Sequence, residues 1–319
     1  MKSLKVVLFA LLMLGIMVSG CGTTAPEPAA PEKQEQVEKP TAKPTLEPTE
    51  VPPEPTEEPT PEPEPTVAIF PADVQAVEFE STNGTVLQGE YYPPESGPAP
   101  IVVLMHQYPL DHESQWFAIA PWLQNRGLVD AVEPSAMPYG DPSWFPEVPD
   151  GLNLGVLVFT FRGCQGGCQN ANLPGGDRSL WAEDARAALL FASGLPGADP
   201  NRIVAVGTSI GADGVVDGCL LAEEDDLRCS GAMSWSPGSY LDMPYDETTG
   251  QLTALGIPVR CFAGEADVQS AETCRSFSGD GYETEFDPSG NHGIALVDPA
   301  LEIDTLNLLI EFLQGTVGE

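Results

Sequence analysis

Beyond residue 100 the sequence alternates short apolar runs with longer stretches of helical spacing, and this order restricts the possible folds most strongly. The apolar runs are PIVVLMH (100–106), GVLVFTFRG (155–163), RIVAVGTS (202–209), SGAMSWSPG (230–238) and IPVRCFAG (257–264). Continuous runs of this kind are typical of strands that are buried on both faces of a mainly parallel sheet.

The stretches between these runs have the spacing of helices. They are ESQWFAIAPWLQNRG (113–127), LWAEDARAALLFASG (180–194), IGADGVVDGCLLA (210–222) and the closing amphipathic stretch LEIDTLNLLIEFLQG (301–315). Two further strands are predicted within 74–94, on either side of the turn signal Asn83-Gly84. Strands and helices that alternate through right-handed crossovers predict an α/β fold, with a mainly parallel, twisted sheet and helices on both faces.

The first twenty residues are typical of an export signal. Two lysines precede the apolar stretch 6–18, which is shorter than a transmembrane helix requires. The sequence VSGC (18–21) resembles the bacterial lipobox, in which cleavage before the Cys leaves a lipid on its sulfur. We therefore expect a lipoprotein signal peptide at 1–20 and anchoring to the outer face of a bacterial membrane through Cys21. A plain signal peptide or an uncleaved anchor is the alternative.

Residues 22–66 are dominated by Pro, Glu and Thr. This segment has almost no aliphatic or aromatic residues, so it cannot bury enough apolar area to offset its chain entropy. Pro-rich chains also favour the extended polyproline II conformation. We expect 21–66, the lipid-anchor Cys and a disordered linker, to tether a single α/β domain at 67–319.

The cysteine pattern also indicates an exported protein. Apart from Cys21, an even number of cysteines remains: Cys164, Cys168, Cys219, Cys229, Cys261 and Cys274. Six cysteines allow 15 pairings, and the clustering favours neighbours, 164 with 168, 219 with 229 and 261 with 274. A metal site is the alternative, but the chain has only three His and no CxxC pair. We expect disulfides and no metal.

The chain is strongly acidic, with a formal net charge of −35. All five lysines lie at or before Lys43, so the segment after the linker carries Arg as its only permanent cation. Such a surface repels nucleic-acid phosphates, and we expect no nucleic-acid partner. The charge suits acidic or salty surroundings, although a general acidic bias of secreted proteins explains it equally well.

The pattern G-T-S-I-G (207–211) follows a predicted strand and precedes a predicted helix. In a Gly-rich chain the pattern can occur by chance, so its context decides the interpretation. A strand–turn–helix context is what a nucleophile elbow requires, because the sharp turn exposes a Ser hydroxyl. We expect Ser209 to be a catalytic nucleophile. An ordinary small residue in a tight turn is the alternative.

The chain has three histidines that could act as the base, His106, His112 and His292. His292 lies in PSGNHGIAL (288–296), a Gly-containing loop before the last helix. Its place near the end of the chain suits the order nucleophile, acid, base. We expect His292 to be the base, with an ordinary surface His as the alternative.

The acid should lie between the nucleophile and the base. Asp267 comes directly after the strand IPVRCFAG, where the carboxyl end of that strand would present it. A buried acid there would orient His292 and stabilise its imidazolium form. Glu265 and Asp287 are weaker alternatives.

The oxyanion of the reaction should be held by two backbone amides. One is the amide of Ile210, the residue after the nucleophile, at the start of a helix where free N–H groups point outward. The other should come from HQYP (106–109), the loop after the first long strand. The amide of Tyr108 is the first choice and that of Gln107 the second.

Several short motifs together resemble the α/β-hydrolase superfamily, in its dienelactone-hydrolase-like and carboxylesterase branches, over residues 74–315. The motifs are LMHQYP (104–109), FRGCQGG (161–167), GTSIGA (207–212), GEAD (264–267) and NHG (291–293). The resemblance implies Ser209 as nucleophile, Asp267 as acid and His292 as base.

The sequence departs from this superfamily at defined positions. Gln107 replaces the usual Gly after the strand-end His, and Ala212 replaces the further Gly of prolyl-peptidase relatives. Dienelactone hydrolases themselves use a Cys nucleophile. No segment long enough for a large cap domain separates SWSPG from IPVR, and the extra sequence lies at 128–153. This insertion is expected to form a flap that lines the substrate cleft or covers a sheet edge.

The sequence therefore predicts an exported serine hydrolase that cleaves a small-molecule ester and needs no cofactor. Cleavage of an amide or peptide bond by the same triad is one alternative. A surface module that binds without catalysis is another. We expect a monomer whose membrane contact is the lipid on Cys21.

Overall fold

A single eight-stranded sheet forms the centre of the described protein. The computed structural model describes residues 73–125, 141–168, 173 and 176–318. The strands are β1 (Gln75–Glu80), β2 (Val86–Tyr92), β3 (Ala99–Met105), β4 (Gly155–Thr160), β5 (Ala198–Thr208), β6 (Gly231–Trp235), β7 (Val259–Gly264) and β8 (Tyr282–Asp287). The predicted signal peptide, Cys21 and the linker lie outside the described residues.

The strands lie in the order β1-β2-β4-β3-β5-β6-β7-β8. Strand β2 runs antiparallel to β1 and β4, and the remaining neighbours pair in parallel. The carboxyl ends of β3 to β8 therefore meet at one edge of the sheet. In open α/β sheets this is the edge where active sites lie.

Helices cover both faces of the sheet. They are α1 (His112–Trp116), α2 (Ile119–Leu123), α3 (Ser179–Ser193), α4 (Ile210–Ala222), α5 (Tyr245–Ala254), α6 (Val268–Arg275) and α7 (Thr305–Val317). None of these helices is both long and apolar enough to cross a membrane. The predicted fold class, a mainly parallel sheet between helical layers, is confirmed.

Strand β3 shows how one apolar run serves two cores. Its side chains alternate, so Ile101, Val103 and Met105 belong to the core on the side of α3, α4, α5 and α6. Val102 and Leu104 face the other side and belong to the core that α1, α2 and α7 cover. All five side chains are fully buried. A strand covered on both faces needs apolar residues at every position, which explains the continuous run.

The predicted helix at 113–127 is instead two short helices, α1 and α2, within the described residues. The break falls at Phe117–Ala118, four residues before Pro121. A proline has no N–H to donate to the carbonyl four residues earlier, and its ring clashes with that carbonyl. The apolar spacing of this stretch predicts one helix, but Pro121 divides it into two.

Three elements were not predicted: α5, α6 and the edge strand β8. The sequence of β8, YETEFD, lacks an apolar run because this strand has a neighbour on one side only. Half of its residues are acidic, as is common for edge strands that avoid pairing with other chains. His292 consequently follows β8 rather than β7.

Three disulfides join the cysteines of the folded part. The pairs are Cys164–Cys168, Cys219–Cys229 and Cys261–Cys274, as the clustering predicted. Disulfides of this number are typical of proteins from an oxidising, extracytoplasmic compartment.

Candidate active site

Ser209 occupies a sharp turn between β5 and α4. Its backbone has φ 53° and ψ −116°, a conformation that residues other than Gly rarely adopt. Its N–H donates to the Trp235 carbonyl at 2.8 Å, which fixes the turn against β6. Strained backbone of this kind concentrates at functional sites, and here it presents the Ser hydroxyl at the carboxyl edge of the sheet.

The two glycines around Ser209 are required by close backbone contacts. A Cβ on Gly207 would overlap the Gly211 carbonyl, and a Cβ on Gly211 would overlap the Met105 carbonyl at the end of β3. The spacing G-x-S-x-G therefore lets the turn fold back on itself and lie directly against β3.

His292 and Asp267 are brought together from two different strand ends. Asp267 follows β7 as the N-cap residue of α6, but its side chain accepts no hydrogen bond from that helix. Its Oδ2 instead lies 2.6 Å from His292 Nδ1. The Asp267 side chain is 16% exposed and that of His292 is 35% exposed, so the imidazole reaches the surface while the carboxylate is largely covered.

The loop that carries His292 lies directly against the Ser209 turn. Gly293 has φ 59°, and a Cβ built on it would come 3.4 Å from the Cβ of Thr208, the residue before Ser209. The Gly293 N–H donates to Ser236 Oγ at 3.0 Å. The three predicted triad residues therefore belong to neighbouring loops at one edge of the sheet.

The other two histidines have structural roles. His106 is fully buried, and its Nε2 accepts a hydrogen bond from the Phe161 N–H at 3.0 Å. Its Nδ1 lies 3.0 Å from the Gln107 carbonyl, to which it donates. Burial lowers the pKa of His106 to about 4. His112 is also buried, and its Nδ1 lies beside Thr160 Oγ1.

The alternative acids are engaged elsewhere. Glu265 is exposed and pairs with Arg275 at 2.7 Å. Asp287 is 1% exposed and accepts the amides of Ser289, Glu302 and Ile303. Burial alone would raise its pKa, but these hydrogen bonds lower the pKa below its usual range. Asp287 thus closes the loop that follows β8.

The candidate oxyanion amides differ in their availability. Ile210 is the first residue of α4, and neither its N–H nor that of Tyr108 has a hydrogen-bond partner among the described residues. The N–H of Gln107 donates to Gln115 Oε1 at 2.7 Å. The geometry therefore favours Tyr108 over Gln107 as the partner of Ile210.

The Cys164–Cys168 loop supports the segment that bears Tyr108. The Cys168 N–H donates to the Pro109 carbonyl at 2.7 Å, and its sulfur lies 3.3 Å from the Leu110 carbonyl. This disulfide-closed turn after β4 thus braces the turn after β3.

Tyr240 is a residue near the candidate site that the sequence did not reveal. Burial raises the pKa of its hydroxyl, and the nearby Ser270 and Ser209 hydroxyls offset part of this rise. The loop that presents it is held by Asp213 in the first turn of α4. The Asp213 carboxylate accepts the N–H of Gly238 at 3.0 Å and the N–H of Tyr240. Its burial raises the pKa of Asp213 to about 7. An aromatic residue soon after a strand end was the only signal.

Among the described residues, no group of three His, Cys, Asp or Glu side chains is arranged to hold a metal ion.

Solved structures with this architecture include an α/β hydrolase, GrgF from Penicillium sp. sh18. It superposes with a TM-score of 0.52 at 16% identity, over 77% of this chain and 100% of its own. A dienelactone hydrolase from Anabaena variabilis gives 0.52 at 14% identity, over 77% and 98%. An arylesterase gives 0.51 at 15% identity, over 79% and 88%. This chain has the α/β-hydrolase fold.

No protein-family model matches the sequence, and no curated protein matches it. At these identities the likeness establishes the α/β-hydrolase fold, and a fold hosts many functions. The function therefore depends on the residues at the site.

In this chain the extra sequence lies outside the link between β6 and β7, where a cap domain would be inserted. The described link between β6 and β7 contains α5 alone, without a large cap. Of the insertion 128–153, residues 128–140 lie outside the described residues. The remainder packs on α2: Phe145 meets the Trp122 ring edge-on at 5.5 Å, and Trp122 Nε1 donates to the Pro146 carbonyl. Residues 152–153 then lead into the amino end of β4, at the edge of the sheet opposite the carboxyl ends of the parallel strands.

Proposed function

We propose that this protein is an exported, lipid-anchored serine hydrolase that cleaves carboxylic esters of small molecules. The observation that carries the proposal is the strained turn at Ser209, with the His292–Asp267 hydrogen bond of 2.6 Å on the adjoining loops. A nucleophile, a base and an acid in this order and setting are what acyl transfer needs.

In the proposed reaction the Ser209 oxygen attacks the acyl carbon of the ester. His292 Nε2 accepts the Ser proton, because its Nδ1–H is donated to Asp267. The tetrahedral intermediate then collapses, the C–O bond to the alcohol breaks, and the imidazolium returns the proton to the departing alkoxide. Water repeats the sequence on the acyl-enzyme and releases the acid.

The negative oxygen of each intermediate would be held by the amides of Ile210 and Tyr108. Ile210 lies at the amino end of a helix, where the dipole also favours negative charge. Both N–H groups lack partners among the described residues, so they can donate without breaking another bond.

Esters are the first substrates to test, although the same triad also serves amide hydrolysis. Two structurally similar proteins are named as an arylesterase and a dienelactone hydrolase. A panel of p-nitrophenyl esters against peptidyl p-nitroanilides separates the two reactions. Turnover of the anilides but not of the esters would replace the ester proposal with peptide-bond hydrolysis.

The nucleophile is tested by labelling with a fluorophosphonate probe. We expect the folded wild-type protein to be labelled and Ser209→Ala to be unlabelled. An unlabelled wild type would exclude the serine mechanism, and equal labelling of the variant would exclude Ser209.

The lipid anchor is tested separately, by expression with a labelled fatty acid in a bacterial host. We expect label in the membrane fraction for the full chain and none for Cys21→Ala, which should keep its hydrolase activity. Label that persists in the variant would exclude Cys21 as the anchor.

A further inference from the structure

Gln107 forms hydrogen bonds through both its backbone and its side chain. The α/β hydrolases that this chain resembles usually have Gly at this position. The Gln107 N–H donates to Gln115 Oε1 at 2.7 Å. Its own Oε1 accepts the N–H of Ile294 at 2.8 Å. A glycine could make the first contact but not the second, so the side chain adds a link that the usual residue cannot provide.

The link ends on the loop of His292. Gly293 lies between His292 and Ile294 with φ 59°, and a Cβ on it would overlap Gln107 Oε1. The Gly293 N–H donates to Ser236 Oγ at 3.0 Å. The two amides after His292 are therefore each held by a side chain from a different strand end, Gln107 after β3 and Ser236 after β6.

Gln115 connects this link to the nucleophile turn. It is 1% exposed, and its Nε2 donates to Thr208 Oγ1 at 2.7 Å while its Oε1 receives the Gln107 N–H. Thr208 is itself fully buried and directly precedes Ser209. A continuous hydrogen-bonded path thus runs from Thr208 through Gln115 and Gln107 to Ile294.

We propose that Gln107 is a positioning residue that sets the distance and angle between His292 and Ser209 through this path. The role rests on the proposed function, because it concerns the geometry of the proposed base and nucleophile. A base acts efficiently only within hydrogen-bond reach of the proton that it abstracts, so a loose His292 loop would slow the reaction of Ser209.

The role distinguishes two substitutions of the same residue. Gln107→Ala removes the acceptor for the Ile294 N–H but leaves the backbone contact to Gln115. Gln107→Glu keeps an acceptor in the same place and adds a negative charge near His292. Since a nearby negative charge favours the imidazolium form, Gln107→Glu should also move the acid limb of the pH–rate profile to higher pH.

The experiment compares wild type, Gln107→Ala, Gln107→Glu and Ser209→Ala in fluorophosphonate labelling and p-nitrophenyl ester hydrolysis. We expect Gln107→Ala to lose about tenfold to a hundredfold in labelling rate and kcat, with KM within about threefold. At pH values above the shifted acid limb of its pH–rate profile, Gln107→Glu should recover most of that loss. Gln251→Ala, an exposed Gln on α5, is the matched control and should behave as wild type.

A second readout does not depend on turnover. The downfield proton resonance of His292 Nδ1–H bonded to Asp267 should be sharp in wild type, broadened in Gln107→Ala and restored in Gln107→Glu. Wild-type labelling and kcat in Gln107→Ala, or no recovery in Gln107→Glu, would overturn the positioning role alone. An unlabelled wild type would instead overturn the proposed function, and the positioning role with it.

Discussion

At the scale of single residues, the Ser209 turn requires that Gly207 and Gly211 have no Cβ. Gly211→Ala places a Cβ onto the Met105 carbonyl, and backbone cannot move aside as a flexible side chain can. We expect the free energy of unfolding to fall by about 1–3 kcal/mol, with a loss of labelling at Ser209. Urea unfolding measures the first effect and the fluorophosphonate probe the second.

Gly315→Ala is the control for this substitution. Gly315 lies in α7, and a Cβ there would meet nothing within 4 Å. Alanine in an open helical position stabilises by roughly 0.5–1 kcal/mol over glycine. A Gly211→Ala protein as stable as Gly315→Ala would show that the elbow tolerates the extra carbon.

Asp213 gives a pH-dependent prediction for one buried carboxyl. Burial raises its pKa from the usual 3.8 to about 7, so the folded protein holds this proton where the unfolded chain has released it. This term therefore lowers stability as pH rises from about 4 to about 7.

Asp213→Asn removes that titration and still offers an acceptor to the Gly238 or Tyr240 amide. The stability of wild type relative to Asp213→Asn should fall between pH 4 and pH 7, measured by urea unfolding at each pH. Asp226→Asn, at an exposed residue, is the matched control. The stability of wild type relative to this variant should change less between pH 4 and pH 7. Parallel curves for wild type and Asp213→Asn would contradict the assignment.

How far the sequence predicts this site depends on how local each constraint is. The strand–turn–helix around Ser209 follows from a few consecutive residues, so the turn was predictable. The hydrogen bonds of Gln107 with Ile294 and of Asp213 with Tyr240 join residues far apart in the chain. Nothing local to those residues signals such contacts, because the contacts depend on how distant loops pack together in the fold.

At the scale of elements, the Cys261–Cys274 disulfide links β7 to α6. Asp267 lies between the two cysteines in the sequence. Replacing both cysteines by Ala removes a cross-link that closes a short loop, and we expect a loss of about 3 kcal/mol in the free energy of unfolding. The freed loop should also hold Asp267 less firmly against His292, so kcat for ester hydrolysis should fall.

The Cys219–Cys229 pair provides the comparison, since it closes a loop of similar length from α4 to the segment before β6. Its double Ala variant should lose comparable stability while keeping kcat. Equal effects of the two variants on kcat would mean that the cross-link near Asp267 has no special bearing on the reaction.

Elements were predictable where burial on both faces imposed an apolar run, as in β3 and β5. The elements that were missed, α5, α6 and β8, lie on the surface or at one edge of the sheet, whereas β1 at the other edge was predicted from the turn signal that follows it. In β8 the alternation of Tyr282, Thr284 and Phe286 with Glu283 and Glu285 was a two-residue period that could have revealed the strand. The division of the helix at 113–127 needed the carbonyl clash of Pro121 to be weighed against the helical spacing.

At the scale of the whole molecule, the charge of the chain should make its stability depend on salt. Carboxylates far outnumber the Arg residues of the folded part, and their mutual repulsion opposes the compact state. Sodium chloride at 1 M shortens the screening length to about 3 Å, from about 10 Å at 0.1 M. We expect Tm at pH 7 to rise between these concentrations, as measured by differential scanning calorimetry.

The same measurement near pH 4 is the control, because many carboxylates are then protonated and the repulsion is reduced. The salt effect should shrink there. A salt effect of equal size at both pH values would point to a general influence of the salt on burial rather than to charge repulsion.

The three disulfides each join cysteines that are consecutive along the folded part, with sequence separations of 4, 10 and 13. A chain that emerges amino end first completes each pair before the first cysteine of the next pair appears. Oxidation in order of emergence therefore gives the native connectivity, and no wrong bond has to be exchanged. Maturation of this protein should then require an oxidant but no disulfide isomerase.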